Sequence, residues 1–309
     1  MRRLKWIIWL LPLLTGIAAA AAQSELPRLE PGDCQFDPGY GAGYGMMMGE
    51  DSGITCGYLV VPEDRAQPEG NRVRLHYAVF HATGERPQPD AVVYLEGGPG
   101  GHTLPFLPWA YYALGYPFGE QRDVVFFDQR GAGFSRPALD CPEYDAIRYQ
   151  MLGESLSKDD QRQQILNALT SCHARLRSRG VNVAAYNSAE NAADLEDLRR
   201  LLGYPQWNLY GISYGTRLAL TAMRDHPHGI RSVIIDSVLP LEASLYDDEP
   251  ANLDRALNLL FLACTRDAEC NARYPRLGTV FYELVDRLNA EPGIARINHP
   301  TTRAELAVL

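Results

Sequence analysis

Residues 207–215 read Trp-Asn-Leu-Tyr-Gly-Ile-Ser-Tyr-Gly, and this stretch decides how the surrounding chain folds. Its first four residues are a short apolar run typical of a strand, and residues 214–225 have the composition of a helix. Gly-x-Ser-x-Gly lies between them, with Ser213 at its centre. On a tight turn from a strand to a helix, the flanking glycines avoid steric clashes and the serine hydroxyl is lifted above the edge of the sheet. We therefore predict that Ser213 is a catalytic nucleophile rather than part of an ordinary turn.

Strand-like and helical segments alternate around this motif. Short apolar or alternating runs predict strands at residues 57–61, 73–81, 91–95, 124–127, 207–210 and 232–235. A helix is predicted over residues 189–202, with Ser188 as its N-cap and Gly203 just beyond its end. Uninterrupted apolar strands are usually covered on both faces, so we expect the strand at 232–235 to be buried. The alternation favours a mostly parallel sheet with helices on both sides.

A glycine-rich segment, Glu-Gly-Gly-Pro-Gly-Gly at residues 96–101, follows the predicted strand at 91–95. Attack on a carbonyl group creates an oxyanion, which preorganised N–H donors stabilise, and glycine lets the backbone approach closely. We predict that the backbone N–H groups of Gly98 and Tyr214 form this oxyanion hole. A plain glycine-rich turn is the alternative. A phosphate-binding loop agrees less well with the sequence, since no Gly-Lys-Ser or Gly-Lys-Thr follows.

The ends of the chain differ in composition from its centre. Arg2, Arg3 and Lys5 precede an apolar run that ends in Ala20-Ala21-Ala22, the layout of a secretory signal peptide. We predict a signal peptide at residues 1–22, with an uncleaved anchor as the alternative. The protein is then periplasmic or secreted, without a stable membrane anchor after cleavage. The other predicted units are an irregular Gly/Pro-rich lead-in at 23–54, a core at 55–240 with an insertion at about 136–187, and the start of a helical cap at 241–309.

Charge and cysteine content narrow the kinds of partner and site. A formal net charge of −9 argues against nucleic acid, since a phosphate backbone needs a basic face. All six cysteines follow the predicted cleavage point, which indicates disulfides in an oxidising compartment. We predict no metal, because paired Cys-x-x-Cys or His-x-x-x-His spacing is absent, and no cofactor. Sequence neighbours could pair, with other connectivities open: Cys34 with Cys56, Cys141 with Cys172, and Cys264 with Cys270.

Three motifs occur in order between roughly residues 56 and 240. They are Gly-Gly-Pro-Gly at 97–100, Asp-Gln-Arg-Gly-Ala-Gly-Phe-Ser at 128–135, and the stretch 191–220 that contains Ser213. Together they resemble the proline iminopeptidase and tripeptidyl aminopeptidase (TAP-like) serine peptidases. The resemblance implies an α/β-hydrolase fold with a helical cap, and release of amino acids or short peptides from peptide N-termini through an acyl-enzyme. The expected partner is a peptide or a small ester, and Asp128 and Arg130 are expected to brace the turn after a central strand.

Members of that family use Ser, Asp and His in this chain order, and the Asp and His follow later strands beyond the cap. This chain departs from the pattern. His226 and His228 directly follow the helix after Ser213, His299 lies in the cap-like region, and Asp236 is expected to be structural. The earlier histidines are expected to lie on the surface or to have satisfied hydrogen bonds: His76, His81, His102 and His173.

The triad Asp and His are therefore expected to be absent from this chain. Either the chain is C-terminally truncated, which we favour because the motif at Ser213 and the glycine-rich loop are intact, or it has decayed into a vestigial binding protein without activity. A carboxylesterase of the same fold is a further alternative, because a fold does not determine the substrate.

Overall fold

The computed structural model describes residues 26–35, 53–244, 246–298 and 305–308. The predicted signal peptide, most of the predicted lead-in and His299 lie outside these ranges. Among the residues described, no helix is both long enough and apolar enough to cross a membrane.

A seven-stranded sheet forms the centre of the molecule. Its strands are β1 (Arg28–Pro31), β2 (Ile54–Pro62), β3 (Arg72–Phe80), β4 (Ala91–Leu95), β5 (Val124–Phe127), β6 (Trp207–Ile212) and β7 (Ile230–Asp236). They lie in the order β1-β2-β3-β5-β4-β6-β7. β1 pairs antiparallel with β2, β2 with β3, and β3 with β5. The neighbouring strands β5, β4, β6 and β7 run parallel to one another. The predicted α/β class with a mostly parallel sheet is confirmed, and β1 is a strand that the sequence did not predict.

The helices of six or more residues are α1 (Pro142–Met151), α2 (Lys158–Ser178), α3 (Ser188–Leu202), α4 (Tyr214–Asp225), α5 (Glu249–Arg266), α6 (Ala268–Arg273) and α7 (Leu277–Ala290). The segment at residues 241–309 is predicted to begin a helical cap. It nevertheless contains an antiparallel pair, β8 (Ala295–Asn298) with β9 (Glu305–Val308). The backbone groups of β8 and β9 hydrogen-bond to each other. The composition of either segment alone does not reveal this pairing.

The larger core lies between the sheet and the helices α3 and α4. Trp207 and Leu209 of β6 contribute to it together with Leu195 and Leu198 of α3 and Leu218 of α4. Each of these side chains is almost completely buried. This packing holds β6 and α4 on either side of the turn at residue 213, so the position of the turn is determined by the core rather than by the turn itself.

The start of α3 corrects one sequence prediction. Asn187, not Ser188, is the N-cap, because its side chain accepts the hydrogen bond from the N–H of Glu190 at 3.0 Å. Ser188 instead shares a hydrogen bond of 2.8 Å with the hydroxyl of Tyr214. Asn and Ser are both favoured N-caps, so residue preference alone does not separate two adjacent candidates. The predicted C-terminal Gly203 is confirmed, with φ 85° in the left-handed region.

The prediction that the strand at 232–235 is buried is wrong. Ile234 and Ile235 of β7 are 45% and 39% exposed. β7 is the outermost strand on its side of the sheet, and it pairs only with β6 among the residues described. Apolar side chains are often buried, but a given side chain is buried only where another element of the fold packs over it.

Three disulfides join the cysteines that are neighbours in sequence: Cys34–Cys56, Cys141–Cys172 and Cys264–Cys270. The first ties the segment after β1 to β2, the second ties the start of α1 to α2, and the third ties α5 to α6. The prediction of disulfides is confirmed, and the connectivity that the sequence left open is the pairing of neighbours.

His76 is a buried, hydrogen-bonded histidine, as predicted. Its Nδ1 lies 2.8 Å from the carbonyl oxygen of Gly57, and its Nε2 accepts from the N–H of Gln35. Its ring stacks on Tyr58. Burial lowers the pKa of His76 below its usual value, because the charged imidazolium loses its hydration. Folding therefore favours the neutral form of the ring.

This lowered pKa predicts a pH dependence of stability. The unfolded chain takes up the proton first as pH falls through about 6.5, so the free energy of unfolding should fall below that pH. We expect His76→Gln to reduce this fall, measured by urea unfolding at about pH 8 and about pH 5.5. The exposed His173 provides the control, His173→Gln. An unchanged pH dependence in His76→Gln would contradict the assignment.

Candidate active site

Ser213 lies on the turn between β6 and α4, and its side chain is exposed. Its backbone has φ 54° and ψ −121°, a conformation that residues other than glycine rarely adopt. Three hydrogen bonds hold it there. The Ser213 N–H donates to the carbonyl oxygen of Asp236 at 2.9 Å, and the Ser213 carbonyl accepts from both the N–H and the Oγ1 of Thr216. Such strain persists only where the surrounding structure maintains it, and it is concentrated at functional sites.

The two glycines of the motif are required by close approach. A Cβ atom at Gly211 would lie 2.5 Å from the carbonyl oxygen of Gly215. A Cβ atom at Gly215 would lie 1.9 Å from the carbonyl oxygen of Leu95 on β4. Neither oxygen can move away easily, because both belong to the backbone. The two glycines around Ser213 are thus required by close packing within the turn and between the turn and β4.

Gly215→Ala should therefore destabilise the fold. Overpacking costs about 1–3 kcal/mol, and a clash with backbone places this change near the upper end, at about 3 kcal/mol. The measurement is urea unfolding followed by circular dichroism. Gly293→Ala is the matched control, because a Cβ atom at Gly293 would have no neighbour within 4 Å. Equal stability of the two variants would show that the turn accommodates a side chain.

The glycine-rich loop after β4 lies directly against Ser213. A Cβ atom at Gly97 would be 3.0 Å from Cβ and 3.5 Å from Oγ of Ser213. Gly98 has φ 114°, which a residue with a side chain adopts only at a steric cost. The N–H of Gly101 closes the loop by donating to the carbonyl oxygen of Gly97 at 3.1 Å. The loop and the motif of Ser213, which lie far apart in sequence, thus meet at the carboxyl ends of two adjacent strands.

Asp128, directly after β5, braces the segment that follows this loop. Its carboxylate accepts from the N–H groups of Thr103 and Leu104 at 2.9 and 3.1 Å, and from that of Phe134 at 2.8 Å. Burial raises the pKa of the Asp128 carboxyl, and these N–H donors act in the opposite direction. Gln129, the next residue, donates to the carbonyl oxygen of Glu96 at 2.9 Å. Asp128 therefore makes the bracing contacts that were predicted for it.

Arg130 makes the second predicted brace. Its guanidinium pairs with both carboxylate oxygens of Asp194 on α3, each at 2.7 Å. It also donates to the carbonyl oxygens of Glu63 and Ala185 at 2.7 Å. Arg65 adds a further bond to Asp194 at 2.8 Å. The segment after β5 is therefore joined to α3 through a buried ion pair.

The histidines that the structure describes do not provide a base at Ser213. In the described part of the chain, no hydrogen bond connects the Ser213 hydroxyl to a histidine or a carboxylate. His81 lies at the end of β3 and pairs with Asp123 and Thr55. His173 and His228 are exposed and His226 is half-buried. His102 stacks on Phe106, with ring centroids 5.5 Å apart.

A pocket of about 370 Å³ opens beside the turn. The glycine-rich loop, the segment after β5 and α3 contribute to its wall. Lining residues include Pro99, Gly100, His102, Tyr186, Asn191 and Tyr214. Aromatic rings and hydrogen-bonding groups thus surround a space next to the residue that follows Ser213. No group of three or more His, Cys, Asp or Glu side chains suited to a metal occurs within the ranges that the structure describes.

Three contributors to the site were not predicted from the sequence. Thr216 hydrogen-bonds to Ser213 and also accepts from the N–H of Leu239. Arg217 donates to the carbonyl oxygens of residues 240, 241 and 243, which anchors the chain after β7. Glu96 lies under the glycine-rich loop and bonds to the N–H of Gly97. Their only signal in the sequence is their position immediately beside the two glycine motifs.

A family model described as the alpha/beta hydrolase fold matches residues 90–284 of this sequence. The chain belongs to the α/β-hydrolase family. Two curated members with related sequences are the serine protease Hip1 of Mycobacterium tuberculosis and the tripeptidyl aminopeptidase of Streptomyces lividans. They are 29% identical over 265 residues and 30% identical over 241 residues, covering 80% and 72% of this chain. The TAP-like resemblance that the motifs predicted is thus confirmed.

This α/β-hydrolase chain spans about half the length, or less, of these relatives: 49% of Hip1 and 41% of the tripeptidyl aminopeptidase. A probable proline iminopeptidase of Streptomyces coelicolor is 28% identical over 183 residues, which cover 59% of this chain and 42% of that one. Among solved structures, MGS-M2, an alpha/beta hydrolase enzyme from a deep-sea metagenome library, aligns with 71% of this chain and 61% of its own. That alignment has 14% identity and a TM-score of 0.36.

Proposed function

We propose that this protein is an exported serine hydrolase, an exopeptidase that removes amino acids or short peptides from peptide N-termini. The observation that carries the proposal is the environment of Ser213. The residue is exposed, held at positive φ on the turn after β6, and faced by the backbone of Gly97. A side chain on this loop would obstruct a substrate carbonyl, whereas a glycine backbone leaves room for it.

In the proposed reaction, Oγ of Ser213 attacks the scissile carbonyl carbon and loses its proton to a general base. The carbonyl oxygen becomes an oxyanion, which the N–H groups of Gly98 and Tyr214 stabilise. Collapse of this intermediate breaks the C–N bond, and the base returns the proton to the leaving amine. An acyl-enzyme remains on Ser213. Water then adds to the ester carbonyl. Cleavage of the ester bond to Oγ releases the acid and restores the serine hydroxyl.

The base and its carboxylate partner are part of the proposal. Among the described residues, no histidine or carboxylate hydrogen-bonds to the Ser213 hydroxyl, and a serine hydroxyl without a base is a weak nucleophile at neutral pH. We propose that the triad Asp and His come from a further part of the protein. The greater length of the curated relatives supports this proposal.

The names of the relatives support a peptidase. They are called a serine protease, a tripeptidyl aminopeptidase and a probable proline iminopeptidase. The pocket beside Tyr214 offers room for a residue of a peptide substrate. Export to the periplasm or the medium is supported by the three disulfides, since disulfides persist in oxidising compartments.

The test is a substrate profile of the protein as its gene encodes it, on aminoacyl and tripeptidyl anilides and on short acyl esters. We expect release of the aniline from substrates with a free N-terminus and weaker release from N-acetylated ones. Ester hydrolysis without peptide turnover would replace the exopeptidase with a carboxylesterase. If a fluorophosphonate failed to label the folded protein, a non-catalytic binding role would replace both enzymes.

A further inference from the structure

The glycine-rich loop rests on a carboxylate that the proposed reaction does not use. Glu96 directly follows β4, and its side chain is half-buried beneath the loop. Its Oε1 accepts from the N–H of Gly97 at 2.8 Å. Its Oε2 accepts from the hydroxyl groups of Tyr94 and Thr103, each at 3.3 Å. One side chain therefore contacts the start of the loop, its end and the strand below it.

These contacts decide which N–H groups of the loop are available. Gly97 donates to Glu96, Gly101 donates to the carbonyl oxygen of Gly97, and Pro99 has no N–H. Gly98 and Gly100 remain without a hydrogen bond to any described residue. Gly98 is the nearer of the two along the chain to Gly97, which packs against Ser213. The N–H of Gly98 is thus the loop donor best placed for an oxyanion.

We propose that Glu96 is a positioning residue that holds the Gly97 N–H away from the reaction centre and so directs the Gly98 N–H toward the oxyanion. This inference rests on the proposed function, because it assigns a role within that site. Removing the carboxylate frees the Gly97 N–H and releases the contact to Thr103. The peptide plane between Glu96 and Gly97 then loses one of its two hydrogen bonds and keeps the one from Gln129 to the Glu96 carbonyl. Rotation of this plane shifts the Gly98 N–H, since the glycine residues offer little steric resistance.

A competing role for Glu96 is direct binding of the substrate ammonium group. The geometry favours the positioning role. Both carboxylate oxygens already accept hydrogen bonds from the protein, and a Cβ atom at Gly101 would lie 2.9 Å from Cγ of Glu96, so the loop covers the side chain. Burial and the nearby Glu96 also raise the pKa of Tyr94. The Tyr94 hydroxyl therefore keeps its proton and remains a donor.

The two roles make different predictions for two substitutions in the intact protein. In Glu96→Gln, the amide oxygen can accept from the Gly97 N–H, and the amide nitrogen can donate to the hydroxyl groups of Tyr94 and Thr103. The positioning role predicts kcat within about five-fold of the wild type for Glu96→Gln. It predicts a loss of about 10²-fold in kcat for Glu96→Ala, the size expected for one misplaced oxyanion donor. KM should change little in both variants.

Ammonium binding predicts instead that Gln is as damaging as Ala and that KM rises in both, and that result would overturn the positioning role. Thr103→Val is a second variant that preserves side-chain shape and removes one contact to Glu96. We expect it to lower kcat by roughly three- to ten-fold with KM unchanged. Should Glu96→Ala fail to fold, full activity in Thr103→Val would count against the inference. Exposed Glu69, in the turn between β2 and β3, provides the control Glu69→Ala.

Labelling of Ser213 by a fluorophosphonate separates failure of this inference from failure of the proposed function. A wild-type protein that is not labelled at Ser213 would reject the proposed function and the role of Glu96 together. A wild-type protein that is labelled, with Glu96→Ala labelled at the same rate, would reject only the role of Glu96. Slower labelling of Glu96→Ala, restored in Glu96→Gln, is the expected result.

Discussion

Ser213→Ala should lower the kcat of the intact protein by on the order of 10⁴-fold or more and abolish labelling by fluorophosphonates. Removal of a serine nucleophile leaves only binding and oxyanion stabilisation, which account for a small residual rate. KM should change little, because the substitution removes a single exposed hydroxyl group. The measurements are steady-state hydrolysis of a peptidyl anilide and mass spectrometry of the labelled peptide that contains residue 213.

Ser178→Ala is the matched control for this substitution. Ser178 ends α2, and its hydroxyl donates to the carbonyl oxygen of Arg175 on the surface. Loss of this bond should leave kcat and labelling unchanged. If Ser213→Ala retained most of the activity, the nucleophile would have to be another residue, and the functional interpretation of the turn after β6 would be wrong.

The largest expected effect on stability is that of Asp194→Ala. Asp194 is 1% exposed and Arg130 is 4% exposed, so both charges are buried. The substitution removes three hydrogen bonds from guanidinium groups, two from Arg130 and one from Arg65. Breaking a buried ion pair leaves a charge without its partner and typically costs about 3–5 kcal/mol. We expect a decrease of that size in the free energy of unfolding, measured with urea.

Glu196→Ala is the control on the same helix. Glu196 pairs with Arg199 through an ion pair three residues apart that is partly exposed to solvent. Its side chains are 20% and 12% exposed, whereas those of Asp194 and Arg130 are fully buried, so solvent screens this pair in part and the expected cost is about 1 kcal/mol. A similar small cost for Asp194→Ala would show that Arg130 finds other partners, for example Glu190, whose carboxylate is 3.4 Å from it.

Much of the fold could be predicted because its signals are local. The strands at 91–95 and 124–127 have the predicted bounds, and α4 begins at Tyr214 and ends at Asp225 as predicted. Apolar runs of strand length and a helix with clear ends are properties of consecutive residues. The close approach required at Gly211 and Gly215 likewise appears in the sequence, because only glycine satisfies it.

The predictions that failed concern relations between distant residues. The choice of Asn187 over Ser188 as the N-cap goes with the Tyr214 hydroxyl bonding to Ser188. The exposure of β7 depends on which elements lie beside it. Such contacts join segments that are far apart along the chain, and no periodicity within either segment records them.

At the candidate site, the turn around Ser213 could be predicted from its residue types, since backbone strain and close packing restrict those positions to few residues. The contacts of Gly97 with Ser213, of Glu96 with the loop, of Asp128 with the segment that follows it, and of Asp194 with Arg130 are visible only once the chain is folded. Hydrogen bonds and ion pairs are satisfied by whichever partner the fold brings within reach, and many residue types can supply that partner. That is why the turn at Ser213 could be predicted from nine consecutive residues, whereas the contacts that support it could not.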